Sequence, residues 1–153
     1  MTRGTLIELF EVPPADDEAF LAAWRHERPG GVALFRALRD DVPVRFVGLA
    51  PSTSPDAYEV VHEDGAPEGP GGVVLIEPLE VDAAAVRAYF AGRRGYLGTR
   101  VYRRAAPEPR VIHLTRWSSP LMVFRAVRDP AFPALAAPAA FPARPALYQR
   151  LPE

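Results

Sequence analysis

Apolar and polar residues alternate from Thr5 to Val12, which predicts a strand that Pro13-Pro14 brings to an end. The period then lengthens. Phe20, Leu21 and Trp24 form an apolar stripe at helical spacing, Pro14 suits the first turn, and Asp16 and Asp17 favour its positive end. Arg28-Pro-Gly-Gly31 stops this helix, and Val32 to Leu38 and Val44 to Ala50 read as a hairpin around Arg39-Asp-Asp-Val-Pro43. Tyr58 to His62 makes a fourth short strand, and Glu63 to Gly72, rich in glycine, proline and acid, reads as a linker.

The same succession of periods then returns. Val73 to Val81 is a strand in which Pro78 favours an edge or a bulge, and Asp82 caps a helix with the stripe Val86, Tyr89 and Phe90. Gly95 to Arg104 and Arg110 to Trp117 form another hairpin around Ala105-Ala-Pro-Glu-Pro109. Ser119-Pro120 opens an additional helix over Leu121 to Val127, stopped by Asp129-Pro130; a Pro/Ala-rich stretch leads to the last strand, Pro145 to Leu151.

Residues repeat as well as periods. Arg45-Phe-Val-Gly-Leu-Ala-Pro-Ser-Thr-Ser-Pro55 aligns with Arg110-Val-Ile-His-Leu-Thr-Arg-Trp-Ser-Ser-Pro120, and Ile7-Glu-Leu-Phe-Glu-Val12 with Ile76-Glu-Pro-Leu-Glu-Val81. Ser54-Pro-Asp-Ala-Tyr-Glu-Val-Val61 returns as Arg144-Pro-Ala-Leu-Tyr-Gln-Arg-Leu151. A unit of roughly 70 residues seen twice is too long and too few for a solenoid. Each copy reads as β-α-β-β-(α)-β, the ferredoxin-like split βαβ pattern, with the second helix deleted from the first copy. The expected fold class is α+β: a reduced first repeat over 1–65, a linker over 66–72 and a second repeat over 73–153, their bare sheet faces buried against each other. Two separate beads are the alternative, but each would be too small to bury much. Gly48 and Ser52 of the first copy become His113 and Trp117 in its successor, so chemistry is expected of the 73–153 repeat alone.

Composition narrows the functional classes. With 48% hydrophobic residues the chain folds, and a formal charge of −1 gives no global electrostatic case for nucleic acid or acidic membranes. There is no cysteine, hence no disulfide or thiolate nucleophile. All 18 basic residues are arginine, which removes Schiff-base and P-loop lysine chemistry. No apolar run approaches the ~20 residues of a membrane span, and Met1-Thr-Arg-Gly leads into a strand without a signal peptide. A cytoplasmic protein is expected.

The segments Ile76-Glu-Pro-Leu-Glu-Val81, Gly95-Tyr-Leu-Gly-Thr-Arg-Val-Tyr102, Val111-Ile-His-Leu-Thr-Arg-Trp-Ser-Ser-Pro120 and Phe141-Pro-Ala-Arg-Pro-Ala-Leu-Tyr148 resemble the antibiotic biosynthesis monooxygenase family. The resemblance implies a dimeric α/β barrel, here as a single-chain pseudo-dimer, monomeric or paired further. In the family's polyketide oxygenases an Asn and, four residues on, a Trp of the third strand face the pocket between sheet and helices. Those positions are His113 and Trp117 here. Tyr102 stands where a second-strand His is found, and Glu77 where a first-strand Asn is found. The haem-degrading relatives use a His on the helix after the tryptophan; Leu121 to Val127 has none, so no cofactor is expected.

Strand alternation places His113, Thr115 and Trp117 on one face and Ile112 and Leu114 on the other. If Glu77 and His113 lie on adjacent strands, the carboxylate would orient the imidazole and raise its basicity, making a general base for an acidic phenol or active methylene. Trp117 would wall a flat substrate and Tyr102 would donate to a developing oxyanion, with Thr115, Arg100, Phe90 and Phe124 as substrate contacts. Arg103 and Arg116 are further candidates for an anionic group, whereas His26 and His62 have no spaced partners and no metal-ligand spacing exists. Three classes follow: a cofactor-independent monooxygenase on an aromatic or polyketide-like small molecule, a non-redox cyclase or isomerase, and a non-catalytic binding module.

Overall fold

The computed structural model describes residues 4–27, 32–69, 71–79, 84–105, 108–130 and 146–152. The first copy comprises β1 (Gly4–Phe10), a 3-10 turn (Pro14–Asp16), α1 (Asp17–Glu27), β2 (Ala33–Ala37), β3 (Phe46–Ser52) and β4 (Glu59–Gly65). The second comprises β5 (Val73–Leu79), α2 (Ala84–Ala91), β6 (Tyr96–Arg104), β7 (Arg110–Trp117), α3 (Pro120–Arg128) and β8 (Leu147–Arg150). Pro14 and the acidic Asp16, Asp17 and Glu18 open the first helical segment as their preferences dictate. Ser119, extended, precedes Pro120 at the start of α3, and Arg125 and Arg128 complement its C-terminal end.

All eight strands form one antiparallel sheet in the order β1-β3-β2-β8-β5-β7-β6-β4. Its two ends meet: Thr5 and Tyr58 exchange backbone hydrogen bonds of 2.8 and 2.7 Å, so the sheet curls into a nearly closed barrel. The fourth strand of each copy pairs with the second strand of the other, β8 with β2 and β4 with β6. The copies are therefore joined along their edges as well as through their faces. Two separate sheets would leave four unpaired edges, which the ring removes.

The register reproduces the repeat residue by residue. Glu8 lies opposite Gly48 as Glu77 lies opposite His113, and Thr5 bridges to Tyr58 as Val74 pairs with Tyr148. Inside the barrel, Ile7, Val47, Ile76, Ile112, Leu114 and Tyr148 belong to one buried core. Outside it, α2 and α3 cover Leu75, Val101 and Trp117 of the second copy with Phe90, Val123 and Ala126. The first copy has only α1, whose Phe20 and Trp24 cluster with Phe10 and Phe46.

Several boundaries differ from the sequence pattern. β1 ends at Phe10, and β3 is displaced to Phe46–Ser52. β4 runs on to Gly65, because Glu63 and Asp64 pair with Arg100 and Thr99 across to β6. Residues 66–69 and 71–72 fold back on the barrel end. The Arg116 guanidinium donates to the carbonyls of Ala66 (3.1 Å) and Gly71 (3.4 Å), and a side chain at Gly98 would stand 2.4 Å from the Ala66 nitrogen. Arg28–Gly31, Asp82 and the Pro/Ala-rich 131–145 lie outside the described residues.

Candidate functional site

Strand alternation on β7 sends His113, Thr115 and Trp117 toward the helices and Ile112 and Leu114 into the barrel. Glu77 of β5 is the direct cross-strand neighbour of His113, and both are buried. Opposed side chains of an antiparallel pair lie about 5 Å apart at Cβ. The Glu77 carboxyl accepts the backbone N–H of Ala146, while its Oε1 has no hydrogen-bond partner among the described residues. Burial pushes its pKa up to about 8, outweighing the opposing pull of the Ala146 N–H. Near neutral pH Glu77 is therefore mainly a neutral acid. It lies opposite the imidazole as a neutral acid, in place of the charged carboxylate expected from sequence.

Trp117 is fully buried. Its indole N–H donates to the Thr115 hydroxyl at 2.9 Å, and its ring meets Phe90 and Tyr96 edge-on at 5.2 and 5.8 Å. Phe124 packs at the margin of the same core with the Arg128 guanidinium over its ring at 5.5 Å. Glu77, His113, Thr115 and Trp117 thus share one face of the sheet, with Phe90 against the Trp117 ring and Phe124 at the margin of the same core.

Tyr102 and Arg100 do not join this group. Val101 is the residue opposite His113; Tyr102 pairs with Ile112 and lies in the barrel core. A one-residue step on a strand exchanges the two faces, so the phenol and the imidazole are on opposite sides of the sheet. Arg100, on the phenol's side, binds Glu63 at 2.7 Å, Glu68 at 2.6 Å and the Tyr102 hydroxyl at 3.4 Å. Burial would lower its proton affinity, but these partners raise it above the ordinary value. Arg103 pairs with Glu59 at the surface, and Arg116 holds the 66–72 loop.

Sequence reading missed a neighbouring polar chain. His62 Nε2 lies 2.9 Å from Asp64, Asp64 accepts the Tyr96 hydroxyl, and that hydroxyl meets Thr99 at 2.6 Å. Thr99 is the cross-strand partner of Thr115, whose hydroxyl accepts the Trp117 indole N–H. Burial alone would raise the Asp64 pKa, yet hydrogen bonds from Tyr96 and His62 hold it below the usual value; burial and Asp64 push Tyr96 up to about 12. The missed signal was the two-residue spacing of His62 and Asp64, one face of a strand, in a segment read as linker from Glu63 onward.

Among the described residues no three His, Asp or Glu side chains gather closely enough to hold a metal ion. α3 carries no His, Cys or Tyr. No described helix is long and apolar enough to cross a membrane.

No protein-family model matches the sequence, and no curated protein is significantly similar to it. Solved structures are similar in fold. A ferredoxin-fold protein related to antibiotic biosynthesis monooxygenases from Listeria monocytogenes superposes with a TM-score of 0.60 at 15% identity, over 99% of this chain and 95% of its own. A major regulator of staphylococcal pathogenesis gives 0.60 at 11%, over 96% and 98%. A haem-degrading enzyme of Listeria monocytogenes gives 0.55 at 14%, also over 96% and 98%. The fold thus occurs in proteins described as an enzyme and as a regulator, and the likeness takes in both copies. What the register and these superpositions establish together is the fold: a nearly closed eight-stranded barrel of two ferredoxin-like units, built from one chain.

Proposed function

We propose that the second copy is a proton-abstraction site, and that the protein is a cofactor-independent monooxygenase of an aromatic or polyketide-like small molecule. The observation that carries this reading is the Glu77–His113 pair: a neutral acid and an imidazole opposed on adjacent strands, both buried, on the strand face that Trp117 shares. His113 takes a proton from an acidic phenol or methylene, and Glu77 donates to the oxygen on which charge develops. Trp117 sets one wall of the site. The carbanion passes electrons to O2; the substrate supplies both electrons, so a methylene becomes a carbonyl and the second oxygen leaves as water.

A non-redox cyclase or isomerase is the second reading. Glu77 as a neutral donor favours it, because an acid beside a base suffices to move a proton between two carbons. The test compares metabolites of cells carrying the intact gene with those carrying His113→Ala or Trp117→Phe. An accumulated precursor one oxygen lighter, or differing by oxygen in and hydrogen out, supports the oxygenase. A precursor of equal mass, or one water heavier, supports the cyclase or isomerase. An unchanged profile removes the proposed site and leaves a binding module.

A further inference from the structure

The pseudo-twofold repeat makes every position at the barrel's mouth comparable with its partner in the other copy. The mouth is the end where β1 and β5 begin and β3, β7 and β8 finish. Phe35 pairs with Arg150 as Tyr102 pairs with Val60, so Arg150 is the counterpart of Val60. Thr5 pairs with Pro51 as Val74 pairs with Arg116, and Ala33 with Leu49 as Arg100 with Leu114. The second copy therefore presents Arg100, Tyr102, Arg116 and Arg150 where the first presents Ala33, Phe35, Pro51 and Val60. Cationic and hydrogen-bonding side chains of one copy thus stand where the other has apolar ones, and the exchanged fourth strands bring the two kinds together, Arg150 beside Phe35.

A cavity of about 300 Å³ at this mouth is lined by Ala33, Leu49 and Pro51 and by Arg100, Tyr102 and Arg150, the last on β8 beside β2. That volume is at the lower end of small-molecule sites. A second recess under the 66–72 loop, floored by Phe35, Val74 and Leu114, is only about 20 Å³, room for a water and not for a ligand. Arg150 is exposed and forms no ion pair among the described residues. Arg100 is already engaged by a carboxylate from the loop, Glu68, at 2.6 Å, while Arg116 holds that loop by its carbonyls. The mouth thus contains a carboxylate of its own, on a loop side chain that is about half exposed.

We propose that the barrel mouth is a binding site for a small amphipathic monocarboxylate, distinct from the His113 face. The ligand carboxylate displaces Glu68 from Arg100 and pairs with Arg150, and the ligand's apolar body lies against Ala33, Leu49 and Pro51, which line the same cavity. Guanidinium forks suit a carboxylate in two-point contact, and the apolar lining rejects fully hydrated anions. The site stands on the opposite side of the sheet from Glu77 and His113, so it does not depend on the proposed chemistry.

Calorimetric titration of the whole protein with sodium octanoate tests this, with octan-1-ol as the uncharged control. Saturable octanoate binding is expected, weakened about tenfold in Arg150→Ala and tightened severalfold in Glu68→Gln, which removes the competing carboxylate. Arg150 is exposed at a strand end, and thermal melts verify that the variants fold. His113→Ala should leave the titration unchanged. The proposal is overturned by octan-1-ol binding as tightly as octanoate, or by absent saturation at millimolar concentration. It is equally overturned if Arg150→Ala and Glu68→Gln both keep the parent affinity, or if His113→Ala abolishes binding.

Discussion

The two copies fill the same layer from opposite sides. In the first, the aromatic bulk comes from the helix: the Trp24 indole lies over Gly48, so that a β-carbon there would stand 2.5 Å from its ring. In the second, it comes from the strand: Trp117 rises from β7 to meet Phe90 of α2. Once the helix supplies the tryptophan, the strand below must be bare. Once the strand supplies it two turns of the pleat away, the position of Gly48 is free to hold an imidazole, His113. Loss of a polar site in one copy and its presence in the other are thus two outcomes of one packing choice.

The copies also differ in how their helices are secured. The second has α3 to complete the layer, with Tyr89 of α2 donating to the Ala126 carbonyl of α3 at 2.6 Å. The first lacks that helix and uses a buried ion pair. Arg45 grips Asp17 of α1 with both terminal nitrogens at 2.7 and 3.0 Å and reaches Asp40 at 2.9 Å and the Val12 carbonyl at 3.1 Å. The Arg45 hydrogen bond, opposed by desolvation, holds the Asp17 pKa below the usual carboxylate value. Polar anchoring stands where an apolar helix is missing.

The sharpest test of this contrast is to truncate each tryptophan. Trp117→Ala should cost about 3–5 kcal/mol in urea unfolding, and Trp24→Ala, on a half-buried helix face, about half as much or less. Equal losses would break the distinction between a strand-filled and a helix-filled layer. Next in size, Asp17→Ala should cost about 3 kcal/mol, because it leaves the buried Arg45 with only the exposed Asp40 as carboxylate partner. Since folding lowers the Asp17 pKa, its contribution is complete above the unfolded value, near 3.8, and fades as pH falls through the folded one. Acid unfolding of the variant should accordingly be flatter than that of the parent.

A smaller effect, about 1–3 kcal/mol, is expected of Gly48→Ala, which crowds the Trp24 ring. Most of that loss should vanish in a Trp24→Leu background; strict additivity in the double-mutant cycle would mean that Trp24 is not what keeps position 48 bare. The last prediction concerns pH. Glu77 has a folded-state pKa of about 8 against an ordinary 4.5, so the folded protein holds the proton longer. Stability should fall as pH rises between those values, by up to about 1.4 kcal/mol per unit, and level off above. Glu77→Gln should remove this slope in pH-dependent melts, whereas Glu8→Gln in the first copy should not.

Much of the architecture was legible in the chain. The repeat, the succession of strands and helices, the deletion of the second helix from the first copy and the face shared by His113, Thr115 and Trp117 all follow from local periodicity. That Glu77 and His113 lie opposite each other entered only as a condition, which the register of β5 and β7 fulfils. Two parts of the site were not legible. Tyr102 and Arg100 were assigned to the face of His113, but side-chain alternation gives the two faces of a strand without saying which residue of the neighbour lies opposite. The His62–Asp64 pair was hidden because a Gly/Pro/acid composition resembles a linker until β6 offers it a partner.

Sequence alone therefore determined what depends on near neighbours: periods of two and 3.6, proline stops, and a duplicated pattern that demanded a duplicated fold. The tertiary structure alone decided what depends on register and burial. A step of one residue between β6 and β7 separates Tyr102 from His113, and burial turns Glu77 from the expected anion into a neutral acid. Neither is written in local order, because both the partner across a sheet and the water excluded from it are set by residues far away along the chain.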